Sequence, residues 1–203
     1  MAKVVADMSV SLDGFIAGPN DGVDNPLGDG GERLHEWVVP LASWRRAHGY
    51  SGGDSGPDDD LFAESVAAVG STVMGRRMFD HAEGPWGEDP PFHYPVFVLT
   101  HRPRDPLVKE GGTTFTFVTD GVESALEQAR AAAGERDVAV ASGQAIQQFI
   151  AAGLLDEIQI HLVPVLLGGG VRLFDQPGPG ARQFECTRAI ASSGVTHLKF
   201  RVV

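Results

Sequence analysis

Residues 137–174 read DVAVASGQAIQQFIAAGLLDEIQIHLVPVLLGGGVRLF, and the order of elements within them decides the fold. DVAVA alternates β-branched and small residues as a strand does. SGQAIQQFIAAG carries apolar residues at helical spacing and stops at glycine, and DEIQIHLVPVLL reads as a second, largely buried strand. A strand, a helix and a strand in succession favour parallel pairing, because parallel neighbours need a crossover and a helix is the usual one.

The same alternation continues upstream. KVVADMSVSL is predicted as a first strand, with STVMG, YPVFVLT and TTFTFVT as three more. TDGVESALEQARAAAG is predicted as a helix, with Asp120 and Glu123 in a capping-box arrangement and Gly134 as its stop. In ERLHEWVVPLASWRRAHG, residues Leu34, Trp37, Val38, Leu41 and Trp44 share a helical stripe, which Pro40 kinks or divides. A polar linker, YSGGDSGPDDD, leads to a short helix from about Leu61 to Val69. RQFECTRAIAS and GVTHLKFRVV close the chain as an antiparallel hairpin. The fold class is therefore α/β: a mostly parallel central sheet, helices on both faces, and an antiparallel edge at the C-terminal end. The 203 residues suit a single domain, 1–203, with a loop-rich insertion at about 20–60.

The formal net charge of −11 argues against nucleic acid or an anionic membrane as partner, since both require a basic footprint. Cys186 is the only cysteine, so no internal disulfide forms, and a cytoplasmic location is expected. No segment reads as a signal peptide or a membrane span. Two motifs mislead. GDSGP at 53–57 copies a serine-protease nucleophile segment but sits in an α/β chain within a linker, and HEWVV lacks the second histidine of a zinc-protease helix. No metal site is expected.

Ligands of open α/β sheets lie beyond the carboxyl ends of the strands, so the residues just past each strand are the informative ones. Gly75, Arg76 and Arg77 follow STVM; Thr100, His101 and Arg102 follow VFVL; Ser142, Gly143 and Gln144 follow DVAVA; the Asp13 loop follows the first strand. Small residues at the Ser142 turn let backbone N–H groups approach an anion at a helix N-terminus, although a tight turn alone also explains glycine there. A planar guanidinium fork suits phosphate, but adjacent arginines at a helix start need not point the same way. One of the pair can bind phosphate while the other pairs with a surface carboxylate. Asp13 is a candidate catalytic residue that binds a substrate amine or assists proton delivery, or simply the first residue of an Asp-Gly turn. Trp86 and Phe92 are candidates to stack on a planar substrate, or to fill a satellite core.

SLDGFIA, VMGRRMF, VFVLTHRPR, the 137–174 block and the closing hairpin together resemble the dihydrofolate reductase-like superfamily, in its branch typified by the RibD C-terminal domain of riboflavin biosynthesis. The resemblance implies a three-layer reductase fold around an eight-stranded sheet, bound NADPH and a homodimer. It places Arg76 and Arg77 beside the adenosine 2′-phosphate and the pyrophosphate, and Thr100, His101 and Arg102 beside the adenine ribose. It further places Ser142, Gly143, Gln144 and Ala145 at the pyrophosphate, Ile16 and Ala17 at the nicotinamide, and Gly168 and Gly169 in a turn beside the site. Ser142 stands where the family often has glycine, and the helical carboxylate that holds a pterin has no secure counterpart in Glu32 or Glu36. The implied activity is NADPH-dependent hydride transfer to a small heterocyclic or carbonyl substrate of pterin or pyrimidine type. The alternative is a catalytically silent nucleotide-binding or interaction protein on the same fold.

Overall fold

The structure, a computed structural model, describes residues 2–175 and 180–203. In chain order its strands are β1 Val4–Ser11, β2 Phe15–Ala17, β3 Val69–Gly75, β4 Val96–Leu99, β5 Leu107–Val108 and β6 Thr114–Val118, followed by β7 Asp137–Ala141, β8 Glu157–Val163, β9 Val171–Arg172, β10 Phe184–Ala191 and β11 Thr196–Val202. Its helices are α1 Ala42–Ala47, α2 Pro57–Ala68, α3 Arg76–Trp86, α4 Val122–Ala133 and α5 Gly143–Ala151. Among the described residues the main sheet has nine strands in the order β10-β11-β8-β1-β7-β3-β4-β6-β5. The resemblance implies eight; the ninth is β5, a two-residue strand that pairs antiparallel with β6 at the edge. β8, β1, β7, β3, β4 and β6 run parallel, and the β10–β11 hairpin joins antiparallel through β11 to β8. β8, which reads in the sequence as a largely buried strand, is an inner strand with β1 and β11 on either side.

One face of the sheet packs on α4 and α5, where Leu126, Ile146, Phe149 and Ile150 meet Val4, Val73, Val138 and Ile158. On the other face, Met74, Phe79, Val96, Val98 and Phe115 form a second core under α3, and Leu34, Val163 and Val195 form a third. Successive strand residues serve opposite faces, as Val73 and Met74 do, which is what a sheet covered on both sides requires.

Three boundaries differ from the sequence reading. Residues 31–47 do not form one kinked helix: Gly31–His35 is a 3₁₀ segment, and α1 begins only at Ala42, after Pro40. Leu34, Val38 and Leu41 are nevertheless buried. α2 starts at Pro57, four residues before Leu61, because proline suits the first helical turn and Asp58, Asp59 and Asp60 complement the positive end of the helix. The preceding GDSGP stretch is fastened, since Asp54 donates its N–H to the Pro40 carbonyl at 2.8 Å and accepts from the Ala42 N–H at 2.8 Å. Asp120 does not cap α4. The N-cap is Gly121 with φ 92°, which makes the entering turn one residue later and leaves the Asp120 carboxylate to the Thr119 hydroxyl at 3.3 Å.

Where α2 and the 31–41 segment cover β1, β8 and β11, a polar chain crosses the interface. Asp7 bonds His161 Nε2 at 2.5 Å, His161 Nδ1 meets His197 Nδ1 at 2.6 Å, and His197 Nε2 reaches Asp58 at 3.0 Å. Trp37 packs against both imidazoles. Two Nδ1 atoms this close require one to donate and the other to accept, so each imidazole is held in a defined orientation.

Candidate active site

The site exists because β7 stops early. Its register with β1 ends at Ala6 opposite Val140, whereas β1 continues along β8 to Ser11 opposite Val163. Past Ala141 the gap between β1 and β3 is filled at its base by Ser142 and the start of α5. A cavity of about 460 Å³ opens above that base. A smaller one, of about 270 Å³, lies across the ends of β3, β4 and β6 and shares Gly75, Arg77 and Gln144 with the first.

The base of the groove is strained and tight. Ser142 holds φ at 80°, a conformation a side chain disfavours, and its hydroxyl accepts the Gly75 N–H at 3.1 Å. A Cβ on Gly75 would stand 2.7 Å from that hydroxyl oxygen, so a side chain at 75 would push the Ser142 hydroxyl out of its bond. Ile16, Ala17, Ser142 and Gly143 line the larger cavity, and Trp86 stands in its wall. Arg76, Thr100, His101, Arg102 and Ala145 line the smaller one. The strand-end residues expected from the sequence therefore meet on one groove.

Others fall elsewhere. Asp13 lines neither cavity: its carboxylate accepts from the Ser11 hydroxyl at 2.5 Å, from the Gly168 N–H at 2.7 Å and from the Leu167 N–H at 3.2 Å. The Ser11 hydroxyl, with those two N–H groups, holds it below the usual carboxylate range. Gly168 and Gly169 are likewise off the groove, in the turn that Asp13 fastens. Phe92 belongs to the core under α3, edge-on to Trp86 at 4.9 Å between ring centroids.

The arginines divide their work. Arg76 bonds Asp80 through Nε at 2.6 Å, and Arg102 reaches the other oxygen of Asp80 at 3.0 Å. One carboxylate thus gathers two cations at the smaller cavity and leaves an excess of positive charge there. Arg77 turns the other way and grips Asp21 with two parallel bonds of 2.9 and 2.7 Å, which hold its guanidinium more firmly protonated. Asp21 sits in the 18–30 loop, whose Pro26 and Leu27 also wall the larger cavity. That loop packs backbone against backbone. A Cβ on Gly28 would lie 2.2 Å from the Gly18 carbonyl oxygen, one on Gly18 2.0 Å from that of Asp29, and one on Gly170 2.1 Å from that of Ala17.

Several lining residues escaped the sequence reading: Met8, Asp21, His35 and His81. His81 was legible, because it lies one helical turn after Arg77 on the cavity face of α3. His35 carried no local signal, since only the path of the 3₁₀ segment across β1 and β2 brings it to the site. Its ring is largely buried, and burial pushes its pKa below the ordinary value against the opposing effect of the Gly31 backbone.

A family model described as the RibD C-terminal domain matches residues 2–198. The chain belongs to that family. It is similar to the Bacillus subtilis protein YyaP, with 24% identity over 183 residues covering 85% of this chain and 80% of the relative. Among solved structures it is similar to a putative riboflavin biosynthesis protein from Shewanella sp. PV-4, with 23% identity, 99% of each chain covered and a TM-score of 0.70. It is also similar to the dihydrofolate reductase of Enterococcus faecalis complexed with NADP(H), with 14% identity, 98% of this chain and 96% of that one covered, and a TM-score of 0.54. The fold is that of the dihydrofolate reductase-like proteins. Among the described residues no helix is long and apolar enough to cross a membrane.

Proposed function

We propose that the chain is an NADPH-dependent reductase that transfers hydride to a small heterocyclic or carbonyl compound. The observation that carries this reading is the joined pair of cavities across the strand ends, one lined by arginine and hydroxyl groups, the other largely apolar. A dinucleotide has the same division into a charged half and a ring that must meet its substrate away from water.

The residues present fit the cofactor. Arg76 and Arg102, with Thr100 between their strand ends, would hold the adenosine and its 2′-phosphate, and the N-terminus of α5 with Gln144 and Ala145 would receive the pyrophosphate. Ile16, Ala17 and Gly143 would border the nicotinamide. The bound cofactor supplies the hydride; the chain supplies orientation and exclusion of water, which bring the reacting groups together. Arg77 is assigned to holding the 18–30 loop over the cavity through Asp21, and not to reading phosphate, because its fork is already engaged.

This assignment separates the arginines experimentally. NADPH should bind about 10- to 100-fold more tightly than NADH at low salt, as the loss of one or two charge-assisted bonds implies. Arg102→Ala and Arg76→Ala should weaken NADPH and leave NADH nearly unchanged in calorimetric titration. Arg77→Ala should weaken both cofactors alike, by loosening the loop. Equal affinity of the unmodified protein for the two cofactors would overturn the reading.

A further inference from the structure

Hydride transfer to a carbonyl carbon is incomplete without a proton, because the electron pair of the broken double bond gathers on oxygen. The side chains that wall the larger cavity differ in what they can give. Arg77 stays protonated and is closed on Asp21, both of whose carboxylate oxygens accept from it. Gln144 is an amide, able to hydrogen-bond a ligand but not to surrender a proton near neutral pH. His35 is largely buried against the Gly31 backbone, with its Nδ1 sealed off. His81 differs from all of these. It stands on α3 one turn after Arg77, in the cavity wall, with 14% of its side chain exposed. Its Nδ1 lies 3.6 Å from Asp21 Oδ2, beyond hydrogen-bond range, and that oxygen already receives Arg77 Nε. Among the described residues neither nitrogen of the ring makes a hydrogen bond, and neither is sealed as Nδ1 of His35 is, so the imidazole is open toward the cavity it lines. The wall beside it is apolar, with Met78, Ala82 and Trp86, and Trp86 is fixed in place by Phe92 and Phe115.

We propose that His81 is the proton donor of the reaction, through Nε2, and that the substrate is an uncharged, planar carbonyl compound. The inference rests on the reductase reading and deepens it. Nδ1 is the nitrogen turned to Asp21, which leaves Nε2 for the ligand. As hydride from the bound nicotinamide cofactor forms the new C–H bond, the carbonyl π pair moves onto oxygen and takes the Nε2 proton of the protonated imidazole. The carbonyl is thereby reduced by two electrons to an alcohol, the cofactor is oxidised, and the imidazole, left neutral, regains its proton from water at the cavity mouth. The apolar wall suits an uncharged ring. A 2-amino heterocycle of pterin type would instead present a pair of N–H donors, and the one carboxylate among the described lining residues, Asp21, is taken by Arg77.

The probe is isatin, an uncharged bicyclic ketone, reduced with NADPH by the full chain and followed by loss of the cofactor's absorbance. In the unmodified protein kcat should fall as pH rises through the range in which an imidazole loses its proton. His81→Ala, a change that a helix accepts, should keep its affinity for NADPH and alter KM little. At acid pH its kcat should drop by about 100- to 10,000-fold, the range of a lost general acid, and should no longer vary with pH. Free imidazole added to the variant should restore part of the rate, which a merely structural role for His81 would not allow. Asp21, Arg77 and His35 are the other titratable groups of the wall, and the flattened profile of the variant assigns the pH dependence to His81 rather than to them. Undiminished kcat in His81→Ala, a pH profile that persists in it, or a loss that imidazole does not relieve overturns the proposal. So does an unmodified protein that binds NADPH and leaves isatin unreduced. An unmodified protein that binds no NADPH sinks the reductase reading instead, so the two failures are distinct.

Discussion

Ser142 and Asp13 show how differently two polar residues can serve one site. Ser142 occupies a glycine-like φ of 80°, a strain on the order of 1–3 kcal/mol, and the bond between its hydroxyl and the Gly75 N–H offsets part of it by ending two strands at one point. Asp13, by contrast, faces inward to its own turn, where its carboxylate ties the end of β1 to Leu167 and Gly168. Asp13→Asn should therefore lower the thermal midpoint, because an amide accepts through one oxygen where the carboxylate accepts through two. Cofactor affinity measured below that midpoint should be unchanged. A variant of unaltered midpoint that had lost turnover would return Asp13 to the catalytic role its place after the first strand suggests. Asp-Gly after a strand fits both roles equally well in sequence, and the contact that separates them comes from a segment more than 150 residues away.

At the scale of elements, the helices that sit on the sheet were legible because their signals are local. The apolar spacing of α5 and the glycine stop of α4 both appear in the structure as read. Signals went astray where backbone geometry outranked side-chain chemistry. Gly121 begins α4 with φ 92°, and Asp120 is left outside the helix although its residue type favours capping. Asp120→Ala should consequently change unfolding free energy by less than about 0.5 kcal/mol in urea titration, the range of an ordinary surface substitution, where loss of a true cap costs about 0.5–2 kcal/mol. A loss at the upper end of that range would show that the carboxylate reaches the first turn in solution. Likewise the strand-end rule located Gly75, Arg76, Thr100 and Ser142 on the groove, because a parallel sheet fixes which end of each strand faces the ligand. It could not locate His35 or Asp21, which arrive from the 18–35 stretch by a path no periodicity records.

For the molecule as a whole, the polar chain from Asp7 through His161 and His197 to Asp58 couples the cover formed by α2 to the sheet. Burial lowers the pKa of His197 below its ordinary 6.5, and burial does the same to His35. Below about pH 6.5 the unfolded chain then binds more protons than the folded one, so this part of the stability is present above pH 6.5 and is lost as pH falls. Asp7 adds to the loss at lower pH: burial raises its pKa, but the charge and hydrogen bond of His161 outweigh that and leave it below 3.8. Urea midpoints measured from pH 8 to pH 5 should be level at first and then decline below about pH 6.5; level midpoints throughout would show that neither histidine is held neutral. The interlocked glycines around the groove carry a different kind of consequence. Loops ordinarily absorb change, and helix surfaces tolerate it too. Here the carbonyl oxygens of Gly18, Asp29 and Ala17 fill the space that side chains on Gly28, Gly18 and Gly170 would need. Across a population of variants the 18–30 loop would thus behave as the invariant part of the molecule, and the open faces of its helices as the part free to drift.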